Sequence, residues 1–134
     1  MAELIRVQSD NKLAFGNYKL DTKTKVVDFP FKGDLYYIKS FKEITKLEKN
    51  SAFVFESNPG TTITDFDMNF DEVSFTVEGN EDAQITLGLL EDTVYEVFID
   101  DESIGGMKTK MSGKLYVNVE LNEGKAVRLR IVKG

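Results

Sequence analysis

Val73-Ser74-Phe75-Thr76-Val77-Glu78 and Leu115-Tyr116-Val117-Asn118-Val119-Glu120-Leu121 decide how this chain reads. In both runs every second residue is apolar and those between are mostly polar. An extended backbone therefore puts the apolar side chains on one face, the pattern of a strand with a core on one side and water on the other. The same period recurs at Ile85, Leu87 and Leu89, at Tyr95, Val97 and Ile99, and at Val127, Leu129 and Ile131. Turn-forming residues separate these runs: Glu78-Gly79-Asn80-Glu81, Asp100-Asp101-Glu102, Ser112-Gly113 and Asn122-Glu123-Gly124. Gly and Asn tolerate positive φ and Asp bonds its own following backbone, so short connections between antiparallel strands are expected. Gly105-Gly106 marks a short strand or a bulge.

The first half is less regular. Strands are expected near 4–8, 12–15, 18–20, 25–29 and 34–39, with a break at Pro30 and Gly33. Residues 40–48 allow two readings. Ser40-Phe41-Lys42-Glu43 has the form of a helix capping box, with Ile44 and Leu47 continuing a helical stripe. Alternatively the segment is one arm of a hairpin that turns at Lys49-Asn50-Ser51 and returns along 52–56, and the β-branched and aromatic residues on both sides favour this strand. Asn58-Pro59-Gly60 reads as a turn. Nine to eleven strands with little or no helix give an all-β fold, a single antiparallel β-sandwich of jelly-roll-like form; a closed barrel is the other architecture that count allows. No repeat or low-complexity linker divides the chain, so residues 1–134 are read as one domain.

Composition narrows the chemistry. Hydrophobic residues make up 41% and charged residues 30%, an ordinary globular balance, and ten Phe and five Tyr supply bulky core material. Cysteine is absent, which removes disulfides, thiolate nucleophiles and thiolate metal sites. Histidine is absent too, which removes the imidazole base, the Ser-His pair and His-ligated zinc or iron. Paired-carboxylate hydrolysis remains open. The start, Met1-Ala2-Glu3-Leu4-Ile5-Arg6, lacks the apolar run of a signal peptide, and no stretch approaches membrane-spanning length. The cytoplasm is the expected location, unless the chain is a module of a secreted enzyme, and no membrane partner is expected.

Charge is unevenly distributed. Residues 1–50 carry a net +3, residues 51–107 hold fourteen acids and no Lys or Arg, and residues 108–134 carry +5, for a total of −6. Basic terminal strands paired with acidic central ones would neutralise the contrast. Segregated faces would instead favour calcium or head-to-tail docking of copies as a homo-oligomer. An acidic balance argues against nucleic acid, which needs a basic stripe. The densest acidic run is Asp65-Phe66-Asp67-Met68-Asn69-Phe70-Asp71. Its oxygen ligands at alternate positions resemble the start of a calcium loop, making Asp65, Asp67, Asn69 and Asp71 the candidate ligands for that one cofactor. The loop lacks its Gly at the sixth position and carries Thr76 where a bidentate Glu is needed. Alternation accounts for the run more simply, with Phe66, Met68 and Phe70 inward and the acids in solvent.

Two aromatics fall out of phase with their strands' apolar faces. Phe98 and Tyr116 would form a flat platform beside Glu96, Asn118 and Glu120 if their strands were neighbours. Aromatic faces flanked by amides and carboxylates suit sugar rings, whose C–H faces are apolar and whose edges carry hydroxyls. The other expectation is that a strand or a protein partner covers them. Tyr36 and Tyr37 are adjacent, so one must face away from the core. Arg128 and Arg130 share a strand face and form a candidate anion site, or serve to offset the acidic block.

From Tyr95-Glu96-Val97-Phe98-Ile99-Asp100 through Gly106, Thr109, Gly113, Leu115, Val117 and Val119, the chain resembles the accessory C-terminal β-sandwich modules of polysaccharide-active enzymes. At Phe15-Gly16-Asn17-Tyr18, Phe41-Lys42-Glu43-Ile44-Thr45-Lys46-Leu47-Glu48, Asn58-Pro59-Gly60-Thr61 and Gly79-Asn80-Glu81-Asp82-Ala83-Gln84-Ile85-Thr86-Leu87, it resembles a group of short bacterial all-β proteins labelled endosialidase. The first resemblance implies a non-catalytic module that binds carbohydrate or a protein partner. The second implies a glycan hydrolase. Sialidases hold the substrate carboxylate with an arginine cluster on a large propeller, whereas this chain has only Arg6, Arg128 and Arg130, so no catalytic residue carries over. The expected function is a binding or structural β-sandwich, with the hydrolase and a self-assembling structural protein as alternatives.

Overall fold

A computed structural model describes residues 3–134 as two packed antiparallel sheets. Thirteen strands are present among these residues: β1 (Ile5–Val7), β2 (Leu13–Phe15), β3 (Thr24–Phe31), β4 (Asp34–Phe41), β5 (Ile44–Lys49), β6 (Ala52–Asn58), β7 (Thr62–Met68), β8 (Glu72–Glu78), β9 (Ala83–Gly88), β10 (Val94–Ile99), β11 (Glu102–Lys108), β12 (Lys114–Val119) and β13 (Val127–Lys133). One sheet has seven strands in the order β1-β2-β7-β8-β13-β10-β11, the other six in the order β12-β9-β6-β5-β4-β3. The chain crosses between them after β2, β6, β8, β9, β11 and β12. Among the described residues no helix is long and apolar enough to cross a membrane.

Alternation builds the core as expected. Val73, Phe75 and Val77 of β8, Leu115 and Val117 of β12, and Leu129 and Ile131 of β13 all face the interior and are buried. At the centre, Phe15, Phe66 and Phe75 of the seven-stranded sheet meet Phe55 of the six-stranded one. Phe55 lies edge-on to Phe15 at 5.3 Å and to Phe75 at 5.6 Å, and Phe66 stands 5.3 Å from Phe15. Such pairs add roughly 0.5–1.5 kcal/mol each beyond their buried area, and the two made by Phe55 span the sheets.

The strand count exceeds the expected nine to eleven for local reasons. Residues 40–48 are not a helix but the facing ends of a tight hairpin, with Phe41 opposite Ile44 and Ser40 opposite Thr45. Period two wins because Ser40, Thr45 and Leu47 all point into the interior. Residues 102–108 form a full strand opposite β10, with a register shift at Val97/Phe98 that leaves Ile104 without an opposite number. In the other direction, 18–20 is a turn and not a strand. Gly16 adopts φ +88°, and the Asn17 side-chain oxygen accepts the Lys19 backbone N–H at 3.0 Å. Phe70 is also not inward. It lies in the β7–β8 turn, 69% exposed, with the Lys133 ammonium 3.6 Å from its ring centroid. The Asn69 carboxamide oxygen accepts the N–H groups of Asp71 and Glu72, which ends β7 before Phe70 can take its turn facing the core.

A buried hydroxyl chain ties one end of the sandwich together. Ser40, Thr45, Ser57 and Thr61 are each fully buried. The Asn17 N–H donates to Ser40 Oγ at 2.8 Å, and Ser40 Oγ lies 2.7 Å from Thr45 Oγ1. Thr45 Oγ1 donates to the Thr61 carbonyl at 2.8 Å and accepts the Thr61 N–H at 3.0 Å. One proton order satisfies all of this: Ser40 donates to Thr45, and Thr45 to Thr61. Ser57 Oγ bonds Thr61 Oγ1 at 2.7 Å. The turn after β6, with its cis Asn58–Pro59 bond, is thereby fixed against the β4–β5 hairpin, where Gly60 N–H also donates to the Lys42 carbonyl at 3.0 Å.

Candidate functional site

The aromatic platform expected from sequence does not form. Phe98 is on β10 of the seven-stranded sheet and Tyr116 on β12 of the six-stranded sheet, so their outward faces look away from each other. Period-two phase says that a side chain points out, but not from which sheet. Phe98 is half-buried under Arg130, whose guanidinium carbon is 4.4 Å from the ring centroid. Glu96 accepts the Ser103 hydroxyl at 2.7 Å.

Arg128 and Arg130 do share an outward face. Arg130 contacts Glu72 at 3.4 Å, Arg128 donates from Nη1 to Thr76 Oγ1 at 3.3 Å, and the Arg128 backbone N–H donates to Asp100 at 2.9 Å. With Lys133 at 3.8 Å from Asp71, β13 offsets the acidic strands on both its sides. Among the described residues no three acids converge to hold a metal ion. Asp65 sits in a bulge at φ +54°, where Gln8 donates to its carboxylate at 2.8 Å and accepts its N–H at 2.7 Å. Asn69 shapes the turn and Asp71 faces Lys133, so Asp65, Asn69 and Asp71 each serve a separate local contact.

Tyr116 keeps Asn118 and Glu120 beside it, and the six-stranded sheet adds groups that sequence reasoning missed. In register, Asn58 of β6 lies opposite Gln84 of β9, and Gln84 opposite Asn118 of β12. Three amides thus stand abreast on three adjacent strands, about 4.8 Å apart. All three are exposed. Elsewhere Gln8, Asn50 and Asn69 use their amides to hold neighbouring turns. Asn58, Gln84 and Asn118 make no side-chain hydrogen bond among the described residues. Each offers two donors and an acceptor to a ligand.

The next outward row is Tyr116, Thr86, Glu56 and Lys46, again in register. Tyr116 is 42% exposed, while Thr86 between its neighbours is nearly covered. Two open depressions flank the amide row. One, of about 420 Å³, is bordered by Asp82, Gln84, Asn118 and Glu120. The other, of about 660 Å³, is walled by Lys39, Phe41, Lys42, Asn58, Pro59 and Glu81. The hydroxyl chain described above holds the turn that presents Asn58.

The signal for these residues was present only in part. Gln84 and Asn118 occupy outward positions of alternating runs, but their alignment depends on β9 pairing β12 across a connection that visits the other sheet. Comparison of the chain with protein-family models, with curated proteins and with solved structures gives no match.

Proposed function

We propose that this protein is a glycan-binding β-sandwich module that receives a polysaccharide chain across the outer face of its six-stranded sheet. The observation that carries this reading is the row Asn58–Gln84–Asn118, unpartnered and in register beside the exposed ring of Tyr116. Sugars present apolar C–H faces and a rim of hydroxyls, and this surface offers an aromatic face with amides at one-strand intervals. A shallow, open surface suits a chain that runs past it, whereas a small metabolite requires an enclosing pocket.

The test is binding and turnover on a broad glycan panel, sialylated members included, with Tyr116→Ala and Gln84→Ala alongside. Expected is specific retention without product, weakened about fivefold or more by Tyr116→Ala with no change in melting temperature. No retention of any glycan overturns this reading and leaves a protein partner as the occupant of the face. Product formation would assign the hydrolase alternative.

A further inference from the structure

The row that contains Tyr116 continues past Lys46 across the remaining strands. Lys46 of β5 lies opposite Lys39 of β4, and Lys39 opposite Lys25 of β3. Three lysines therefore stand side by side at about 4.8 Å strand spacing, where like charges directly opposite destabilise a sheet. Their neutralisation is incomplete. Lys46 approaches Glu48 at 3.4 Å, but among the described residues no acid lies within ion-pair distance of Lys25 or Lys39. Lys23, Lys39 and Lys42 also line the larger depression, beside Glu43 and Glu81 and with Lys42 at 3.8 Å from Asp21, and it reaches Asn58 of the amide row. In a chain of net charge −6, this is a local concentration of positive charge on the same face as the amides and Tyr116.

Resting on the glycan-binding reading, we infer that the ligand is an anionic polysaccharide whose charges are carboxylates. The row from Lys25 to Tyr116 crosses six strands, about 24 Å at the usual spacing, which is room for several sugar rings. At the lysine end the polysaccharide's carboxylates meet the ammonium groups of Lys25 and Lys39, which hold no ion pair among the described residues and can rotate to donate. At the Tyr116 end a ring stacks and the amides take hydroxyls. Glu56 bounds the positive row next to Lys46, and Glu48, opposite Tyr37 and Phe53 in the neighbouring row, reaches Lys46 from the side. A ligand must therefore carry well-separated single charges, as a uronic acid polymer does; a densely sulfated chain would be repelled by these two carboxylates.

Polygalacturonate, alginate and hyaluronan, each beside its carboxyl-reduced neutral form, provide the test by calorimetry or affinity electrophoresis at low and moderate salt. At least one acidic chain is expected to bind more tightly than its reduced form, with a preference that declines as salt rises. The Lys39→Gln/Lys46→Gln double variant should lose roughly three- to tenfold in affinity for that acidic chain and lose clearly less for the reduced chain. Its melting temperature should stay level or rise, since two like charges have left the row.

Reduced chains bound through Tyr116 with no preference for the acidic forms would overturn this inference and leave the glycan-binding reading standing. So would a preference that survives in the double variant, or dextran sulfate held more tightly than every carboxylated chain. No binding of any of these chains would overturn this inference, and no retention of any glycan on the broad panel would overturn both.

Discussion

Thr45→Val removes one hydroxyl and changes almost nothing else in shape, which makes it a sharp probe of the buried network. In the native fold Thr45 Oγ1 takes the Thr61 N–H and the Ser40 hydroxyl and donates to the Thr61 carbonyl. Val offers none of these. Two buried donors, the Thr61 N–H and the Ser40 O–H, are left without acceptors where Ser40 and Thr61 are each 0% exposed. An unsatisfied buried group costs about 1–3 kcal/mol, so the pair should cost about 3 kcal/mol or more. Thr45→Ser keeps the hydroxyl and loses only a methyl, about 1 kcal/mol. Urea denaturation separates the two. With a slope of about 2 kcal/mol/M, the Val variant should move the midpoint down by about 1.5 M at unchanged slope, and the Ser variant by about 0.5 M. The chain has no Trp and five Tyr, so tyrosine emission or far-ultraviolet circular dichroism reports the transition. Adding Ser40→Ala to the Val variant should cost less than the two single changes together, because the Ser40–Thr45 bond can be lost only once. A Val variant within about 0.5 kcal/mol of the Ser variant would refute the proton order and the burial on which it rests.

Phe55→Ala takes away the one ring that reaches from the six-stranded sheet into the aromatic cluster and should destabilise by about 3–5 kcal/mol in the same urea assay. Gly60→Ala would drive a Cβ into the Phe41 carbonyl, which is backbone and cannot swing away, so a melting temperature lowered by several degrees or poor soluble yield is expected. Burial, and then the hydrogen bond to Glu123 and the nearby negative charges, hold the Tyr18 hydroxyl's ionisation above its ordinary value of 10.0. The folded state therefore keeps this proton where the unfolded chain has lost it; the stabilisation is complete below pH 10 and declines as pH rises through the folded value. Tyr18→Phe should lessen the fall in stability measured above that pH. Millimolar calcium should leave the melting temperature unchanged, because Asp65, Asn69 and Asp71 are each held by separate local partners; a rise of several degrees would refute that account.

What the sequence reveals and what it withholds divide along a physical line. The runs at 73–78, 95–99, 115–121 and 127–131 reveal their strands because burial of one face imposes period two locally. The helix alternative at 40–48 loses to the same period, which a local reading already favoured. Phe70 is misplaced because a single side chain, Asn69, ends the strand one residue early. The site is a different matter. That Tyr116 and Asn118 face solvent is a local fact. That Gln84 and Asn58 stand beside them, and that Phe98 does not, is decided by which strands pair, and the chain changes sheets between β9 and β12 twice over. The charge blocks announced a contrast, but only the register shows β13 neutralising its neighbours while, among the described residues, Lys25 and Lys39 have no acid within ion-pair distance.

The position of β13 also has a kinetic meaning. It is the last strand in chain order, yet it lies between β8 and β10 in the interior of the seven-stranded sheet. During synthesis β8 and β10 emerge with unpaired edges facing an empty slot, and neither gains its shared partner until β13 arrives. Open strand edges invite pairing with other chains, so this interval is when a growing polypeptide is most exposed to misassembly. Pairing β8 with β13 also closes a loop of more than forty residues, which places refolding among the slower, topology-limited β proteins. Insertion of β13 is thus expected to be the committing step, and a chain stopped before Val127 should have no stable sandwich to fall back on.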